Sequence, residues 1–463
     1  MQREEERKIK ELDENIKKEK ARKIAIQEGA FANMSGLGDS LITPLATEIG
    51  SSALQIGFLN SFSGLISPLA QINGDRLMEK HSRKSIAAKY ILFNALMWLP
   101  IALLGILYSK HILASWLPWI LIIFYTVLAA FGGLAHPAWF SWMGDLTNEK
   151  ERGRYLAKRN VYIGIAGTLA IILGGLVLQK FKATGVVFIG FGILFFFSFL
   201  FRFVSHLLIK RQYEPKFKLE KKSYFSFWQF IRRYDNYGKF SVYQSFFNLA
   251  IMIASPFFAL YMLKNLGYES NYLLYMIVSF SSTVFYLVFT PLVGKFSDKY
   301  GNLRLMWVAN IIFAFNPVIW IFVRTPLQII FIPQLITGLA NAASTLATAN
   351  YTYDSVSQQK RGLCVAYTNT LIGLGVFVGS IMGGYLLDVI PNNSFFIVFG
   401  IAGVARLLVG LFFLPQLKEV RPVSKLKLSS ASRMPIHFHF SNPLRHLHMG
   451  FNPFIHHRAG KIK

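Results

Sequence analysis

The chain has 463 residues, 53% of them apolar, with 43 Phe and 8 Trp, yet only 16% are Asp, Glu, Lys or Arg. A soluble domain carries roughly 25% charged residues as its polar skin, so this composition and the mean hydropathy of +0.40 exclude a soluble globular fold and point to a membrane protein. The formal net charge of +26 does not indicate nucleic acid. The basic residues fall in short blocks between apolar runs, where they act as topology signals and contacts to anionic lipid headgroups.

Residues 1–23, "MQREEERKIKELDENIKKEKARK", form a mixed-charge helical arm with no short apolar region of the signal-peptide kind. Twelve apolar segments then reach the length of about 20 residues that a bilayer crossing needs. Six lie near 24–46, 53–73, 87–108, 114–142, 161–179 and 183–206, giving a first bundle over 24–208. A basic connector occupies 209–239. Six more segments near 240–263, 271–294, 304–323, 327–352, 364–387 and 394–414 give a second bundle over 240–414. The tail, 415–463, is polar and basic and holds six of the ten histidines. It has no fixed ligand spacing with cysteine, so no metal site is expected, and it reads as a disordered tail. The single Cys364 excludes an intrachain disulfide. No glycine-rich segment ends in Gly-Lys-Ser/Thr, so there is no ATPase signature and no cofactor is expected. The fold class is an all-α polytopic membrane protein of twelve transmembrane helices in two six-helix bundles.

Orientation follows from the basic residues. The two ends and the loops after even-numbered segments carry nearly all of them, whereas the loops after odd-numbered segments hold only Lys110, Lys180, Lys182, Lys264 and Arg324. Both termini are therefore expected in the cytoplasm, with the chain in the cell membrane.

The passage "DLTNEKERGRYLAKRN" from Asp145 has a twin, "DSVSQQKRGLCVAYTN", from Asp354. Each continues with Arg-Gly (Arg152-Gly153, Arg361-Gly362) and then Asn (Asn160, Asn369), 209 residues apart throughout. A second pair, "DRLMEKHSRK" at 75–84 and "GKFSDKYGNLR" at 294–304, aligns Glu79 with Asp298 and Lys80 with Lys299. Two matches in order, at equivalent loops, mark an internal duplication of six helices.

These motifs resemble the major facilitator superfamily of secondary transporters over about 24–414. That family's loop motif, Gly-x-x-x-Asp-Arg/Lys-x-Gly-Arg/Lys-Arg/Lys, is matched after the eighth helix by Gly294, Asp298, Lys299 and Gly301. After the second helix it is degraded: Asp75 stands at the first glycine, Glu79 at the aspartate and Ser82 at the second glycine, while Arg83 and Lys84 keep the basic end. The stretches "PAWFSWMGDL", "ERGRY" and "KRN" also resemble a poorly characterised group of bacterial and archaeal members.

The resemblance implies that Asp75, Glu79, Arg83, Asp145, Arg152, Arg159, Asp298, Lys299, Asp354 and Arg361 form a cytoplasmic gate or interface network between the halves. Gly153 and Gly362 are expected at tight turns or close backbone approaches, with Gly294 and Gly301 structural as well. In the resembled fold the first, fourth, seventh and tenth helices line the central cavity. Polar groups within spans are costly and so are site candidates: Glu28, Asn33 and Asp39 in the first helix, His136 in the fourth, Asn248 in the seventh, Asn341 in the tenth and Arg406 in the twelfth. Asp39 leads as the substrate- or proton-binding residue. The expected function is secondary active transport of a small solute by alternating access, coupled to protons, by a monomer. Export of hydrophobic or cationic compounds is slightly favoured over metabolite uptake. A lipid-modifying membrane enzyme, or a non-transporting scaffold or sensor, is the alternative. The enzyme would cluster catalytic His, Asp or Glu at one interface, and the scaffold or sensor would show no substrate-dependent flux while folded.

Overall fold

In hydrocarbon every backbone amide and carbonyl must be satisfied within the chain, so the apolar runs fold as helices. The computed structural model describes residues 2–78, 80–146, 149–215, 226–232, 235–390 and 394–420. The long helices are α1 (Gln2–Glu48), α2 (Ala53–Leu77), α3 (Arg83–Ser109), α4 (Leu117–Asp145), α5 (Glu149–Ala183) and α6 (Val187–Arg211). Then come α7 (Asn236–Asn265), α8 (Tyr272–Tyr300), α9 (Asn302–Trp320), α10 (Pro326–Ser355), α11 (Gln358–Val389) and α12 (Ser394–Phe413). Eleven of the described helices are long and apolar enough to cross a membrane. The twelfth is α1, a single helix of 47 residues in which the charged arm runs without a break into the span. Its outer part is lined by the i,i+4 pairs Asp13–Lys17, Glu14–Lys18 and Glu19–Lys23.

Proline accounts for two interruptions. Pro100 cannot bond to the carbonyl four residues back, and α3 breaks at Met97. Pro256 does the same in α7, which stops at Met252 and restarts at Ser255.

The two halves repeat one packing scheme. In the first, α1 lies on α5 and α6, α2 on α4, and α3 on α4 and α6. In the second, α7 lies on α11 and α12, α8 on α10, and α9 on α10 and α12. The halves meet along α2 with α11 and α5 with α8. Helix α11 packs on α7 in its own half and on α2 of the other with two stripes of small residues. A Cβ added at Gly375, Gly379 or Gly383 would fall 2.1, 2.2 or 2.0 Å from the carbonyls of Ser245, Leu249 or Ile253 on α7. On its other face, a Cβ at Gly384 would lie 2.7 Å from the carbonyl of Ala53 on α2.

The charged passage at 144–160 is not the loop expected of it. Helix α4 extends to Asp145 and α5 already begins at Glu149, so most of the charge sits on the first turns of a helix. Its twin behaves alike: Ser357 precedes α11, which begins at Gln358. Gly153 and Gly362 are therefore helical and make no tight turn. A Cβ on Gly362 would meet nothing within 4 Å, so no close backbone approach exists there either. Gly301 does occupy a turn, at φ +95 between α8 and α9, a conformation that strains any L side chain. A Cβ on Gly294 would touch only Leu346, at 3.9 Å.

Candidate functional site

Glu28, Asn33, His136, Arg159 and Arg202 line one cavity of about 270 Å³ within the first half. Glu28 is buried. Its carboxylate accepts from the Ser205 hydroxyl at 2.9 Å and the Trp139 indole at 3.4 Å, and Arg159 Nη2 stands 3.8 Å away. Arg159 also lies over the Trp139 ring, 4.9 Å from its centroid, and its Nε donates to the carbonyl of Ala25 at 3.4 Å. Asn33 is exposed and its amide donates to the carbonyl of Ile163 at 2.9 Å, tying α1 to α5. His136 is exposed and stacks on Phe140 at 6.0 Å. Arg202 donates through Nε to Asn94 Oδ1 at 2.9 Å, and the Asn94 amide is anchored on the carbonyl of Leu128 at 2.8 Å.

Asp39 lies eleven residues beyond Glu28 on the same helix, about 16 Å along its axis. It is exposed, and its Oδ1 accepts from the Tyr125 hydroxyl of α4 at 3.2 Å. An exposed carboxylate within a span faces an aqueous space rather than lipid. In the second half the candidates are not gathered in this way. Asn248 donates to the carbonyl of Gln244 in its own helix at 2.8 Å. Asn341 and Thr345 are exposed one turn apart on α10. Arg406 is buried and donates to the carbonyls of Ala250, Ile251 and Phe313 at 3.3, 2.9 and 2.9 Å. Two of these carbonyls lie in the last turn of α7 before its break, where the backbone ladder is thinned to contacts such as Ala254 N to Ile251 O at 3.3 Å, and the guanidinium supplements it.

The predicted gate residues make their contacts within their own halves. Arg83 is buried, and its Nη1 donates to Asp145 at 2.6 Å and to Ser141 at 3.2 Å. Glu214, beyond the end of α6, accepts from the backbone amides of Arg83 and Lys84 at 3.0 and 3.4 Å, capping α3. The second half repeats this clamp. Asp354 accepts from Asn302 at 3.0 Å, and Glu419 accepts from the Leu303 amide at 2.7 Å, capping α9. The carbonyls one residue before these glutamates match as well: Tyr213 accepts from the Trp142 indole at 3.1 Å and Lys418 from the Tyr351 hydroxyl at 3.0 Å. Arg361 donates to the carbonyls of Tyr353 and Val356 at 3.1 and 3.2 Å, closing the end of α10. Asp298 is exposed with no partner among the described residues, and Lys299 lies over the Tyr300 ring. Glu79, and the side chains of Asp75 and Arg152, lie outside the described residues.

Glu214 and Glu419 were not anticipated, although the signal was present. Both follow the last helix of a half, 205 residues apart, so the duplication runs past the spans. Nor were the contacts between halves at the face away from the connector. There, Glu48 accepts from Lys182 at 2.6 Å and from the Tyr272 hydroxyl of α8 at 2.5 Å. Asp388 accepts from the amides of Ala53 and Leu54 at 3.1 and 2.9 Å, capping α2 from α11. At this face the buried core draws from both halves, from Leu41 and Ile56 to Phe257 and Met276. At the connector face there are two buried cores, one around Trp142 in the first half and one around Tyr351 in the second, the latter touched from the first half by Ile72 of α2.

The family model described as Major Facilitator Superfamily matches residues 29–285 and 240–451. The tetracycline resistance protein, class B, of Escherichia coli is 26% identical over 135 residues, covering 29% of this chain and 33% of that protein. Multidrug resistance protein 1 of Bacillus subtilis is 22% identical over 134 residues, 29% of this chain and 34% of that protein. The match thus spans about a third of the length of each of these curated relatives. Among solved structures, the D-xylose-proton symporter superposes with a TM-score of 0.65 at 15% identity, over 87% of this chain and 98% of that one. At that identity the likeness is one of fold.

Proposed function

The chain belongs to the Major Facilitator Superfamily, and on that premise we propose that it is a secondary active transporter moving a small solute by alternating access, with a proton as coupling ion. The asymmetry of the two faces carries this reading. One face is closed by a shared core and by the Glu48–Tyr272 and Asp388–α2 contacts, while at the connector face the buried cores are separate, joined only through partly buried residues such as Ile72. Two bundles closed at one end and separable at the other are what alternating access requires. With the basic residues inside the cell membrane, the connector and both termini are cytoplasmic and this is the inward-facing arrangement. The gate residues then wait in contacts within their own halves, Asp298 being free to find a partner when the connector face closes. Anionic headgroups neutralise the basic fringe, and one copy of the chain contains both halves, so a monomer suffices.

Asp39 is the proton site: it is exposed within a span, and its hydrogen-bond partner is a neutral tyrosine. The names of the tetracycline and multidrug resistance proteins favour export over uptake. The stretches "PAWFSWMGDL" and "ERGRY" support placement in the bacterial and archaeal group they resemble. The test is solute flux in proteoliposomes under an imposed pH gradient. Asp39→Asn is expected to abolish gradient-driven flux while the protein stays folded. Flux and pH dependence equal to those of the unaltered protein would overturn the assignment.

A further inference from the structure

Resting on the transporter reading, we infer that the cavity of the first half receives the carboxylate of an otherwise apolar organic anion, and that Arg202 binds it. Three formal charges line this cavity, Arg159 and Arg202 against Glu28, so the lining itself carries one positive charge in excess, with Asp39 acting on Arg202 from beyond the lining. Glu28 is already engaged by Ser205, Trp139 and Arg159, so it offers little to an incoming cation. Arg159 faces Glu28 and is spread over the Trp139 ring.

Arg202 differs. Its Nε is held by Asn94, but its two terminal amino groups have no hydrogen-bond partner among the described residues, and it forms no ion pair with any described acid. A guanidinium stays protonated in a protein, so it cannot relieve the cost of burial by losing its charge. Glu28 and Asp39 act on this charge only across a distance, without contact, so its terminal amino groups within the span mark a site for an anionic acceptor. The free edge of a guanidinium matches a carboxylate bidentately. Asn94, itself anchored on α4, fixes the angle of the fork. The remaining walls include Ile91, Ala135, Ile163 and Trp139, which suit a ring or short chain. A volume of about 270 Å³ sits at the small end of ligand pockets. The guest is therefore a compact aromatic or aliphatic monocarboxylate.

The test uses purified full-length protein in nanodiscs. It is titrated with benzoate, indole-3-acetate, their primary amides and benzyltrimethylammonium, followed by calorimetry. The carboxylates are expected to bind, the amides roughly 10- to 100-fold more weakly as befits loss of a charged hydrogen bond, and the cation more weakly still. Arg202→Gln should lose carboxylate affinity by the same factor, and Arg202→Lys should recover part of it. Thermal melting of each variant checks folding. Should Arg202→Gln fail to fold, the acid–amide comparison on the unaltered protein and on Arg202→Lys decides. The inference is overturned if amides bind as well as acids, if Arg202→Gln binds acids normally, or if no carboxylate binds at millimolar concentration. Gradient-driven flux of the cation that needs Asp39 but not Arg202 would also sink it, leaving the transporter reading intact. Binding of carboxylates with no flux of any solute would sink the transporter reading instead.

Discussion

Two arginines show how one residue type takes opposite roles. Arg83 and Arg406 are both buried at 1% exposure, yet Arg83 neutralises Asp145 and Glu214 while Arg406 touches only carbonyls. Asp145 is 47% exposed, so water screens the pair, but Arg83 itself is buried and bonds Ser141, Asp145, Glu214 and the Pro215 carbonyl. Arg83→Met is therefore expected to lower the melting temperature in detergent, because four acceptors lose their shared donor. Glu214→Gln retains an acceptor for the α3 amides and should cost less. For Arg406 we predict that Arg406→Lys also destabilises, because a single ammonium cannot span three carbonyls on two helices. In the folded fraction of that variant, solute affinity should stay within about threefold of normal, since Arg406 does not line the cavity and a factor of three is less than 1 kcal/mol. A loss of binding without a loss of stability would return Arg406 to the list of binding residues.

At the scale of the helix, α11 is the element on which the halves depend. Its run "GLGVFVGSIMGG" packs against α7 on one face and α2 on the other. Without a hydrophobic drive between helices in lipid, close approach and dispersion hold such contacts. Gly379→Ala places a methyl group where a backbone carbonyl already stands, and overpacking of this kind costs about 1–3 kcal/mol. Gly362→Ala, on the open face of the same helix, should be neutral or stabilising by up to ~1 kcal/mol. Melting curves of the two variants side by side check the contrast. Equal effects would mean that α11 does not seat by its glycines. The small-residue spacing alone had suggested close packing, but not which neighbour each stripe would meet. That assignment needs the rotation of the helix about its own axis.

At the scale of the whole molecule, the state of the transporter depends on contacts that are few and polar. Glu48 joins α1 to α5 and α8, and Asp388 joins α11 to the start of α2. Glu48→Gln combined with Asp388→Asn should weaken this closure and raise the outward-open population about tenfold, for a bias of roughly 1.4 kcal/mol. The readout is labelling of Asn33→Cys by an impermeant thiol reagent added from each side of the membrane. The native Cys364 is buried, so its background is low. Unchanged labelling from the outside would mean that the closure is held by the apolar core alone.

Much of this was legible from sequence because it is local or repetitive. Helices in hydrocarbon follow from apolar length, sidedness from the distribution of Lys and Arg, and the two-half plan from the repeated Asp–Arg-Gly and Glu/Asp–Lys patterns. Glu28, Asn33 and His136 could be named as candidates because a polar group in a span is costly wherever it lies. The tertiary structure alone decided what each candidate touches. It separates Asp39, facing Tyr125, from Glu28, held by Ser205 and Arg159, and it leaves the Arg202 fork open beside Asn94. It also turned the dense charge after Asp145 into the start of a helix and closed one face of the molecule rather than the other. These outcomes depend on pairs more than 80 residues apart, such as Tyr125 with Asp39 and Tyr272 with Glu48. A helical period fixes which face a side chain occupies, but not which helix comes to stand against it.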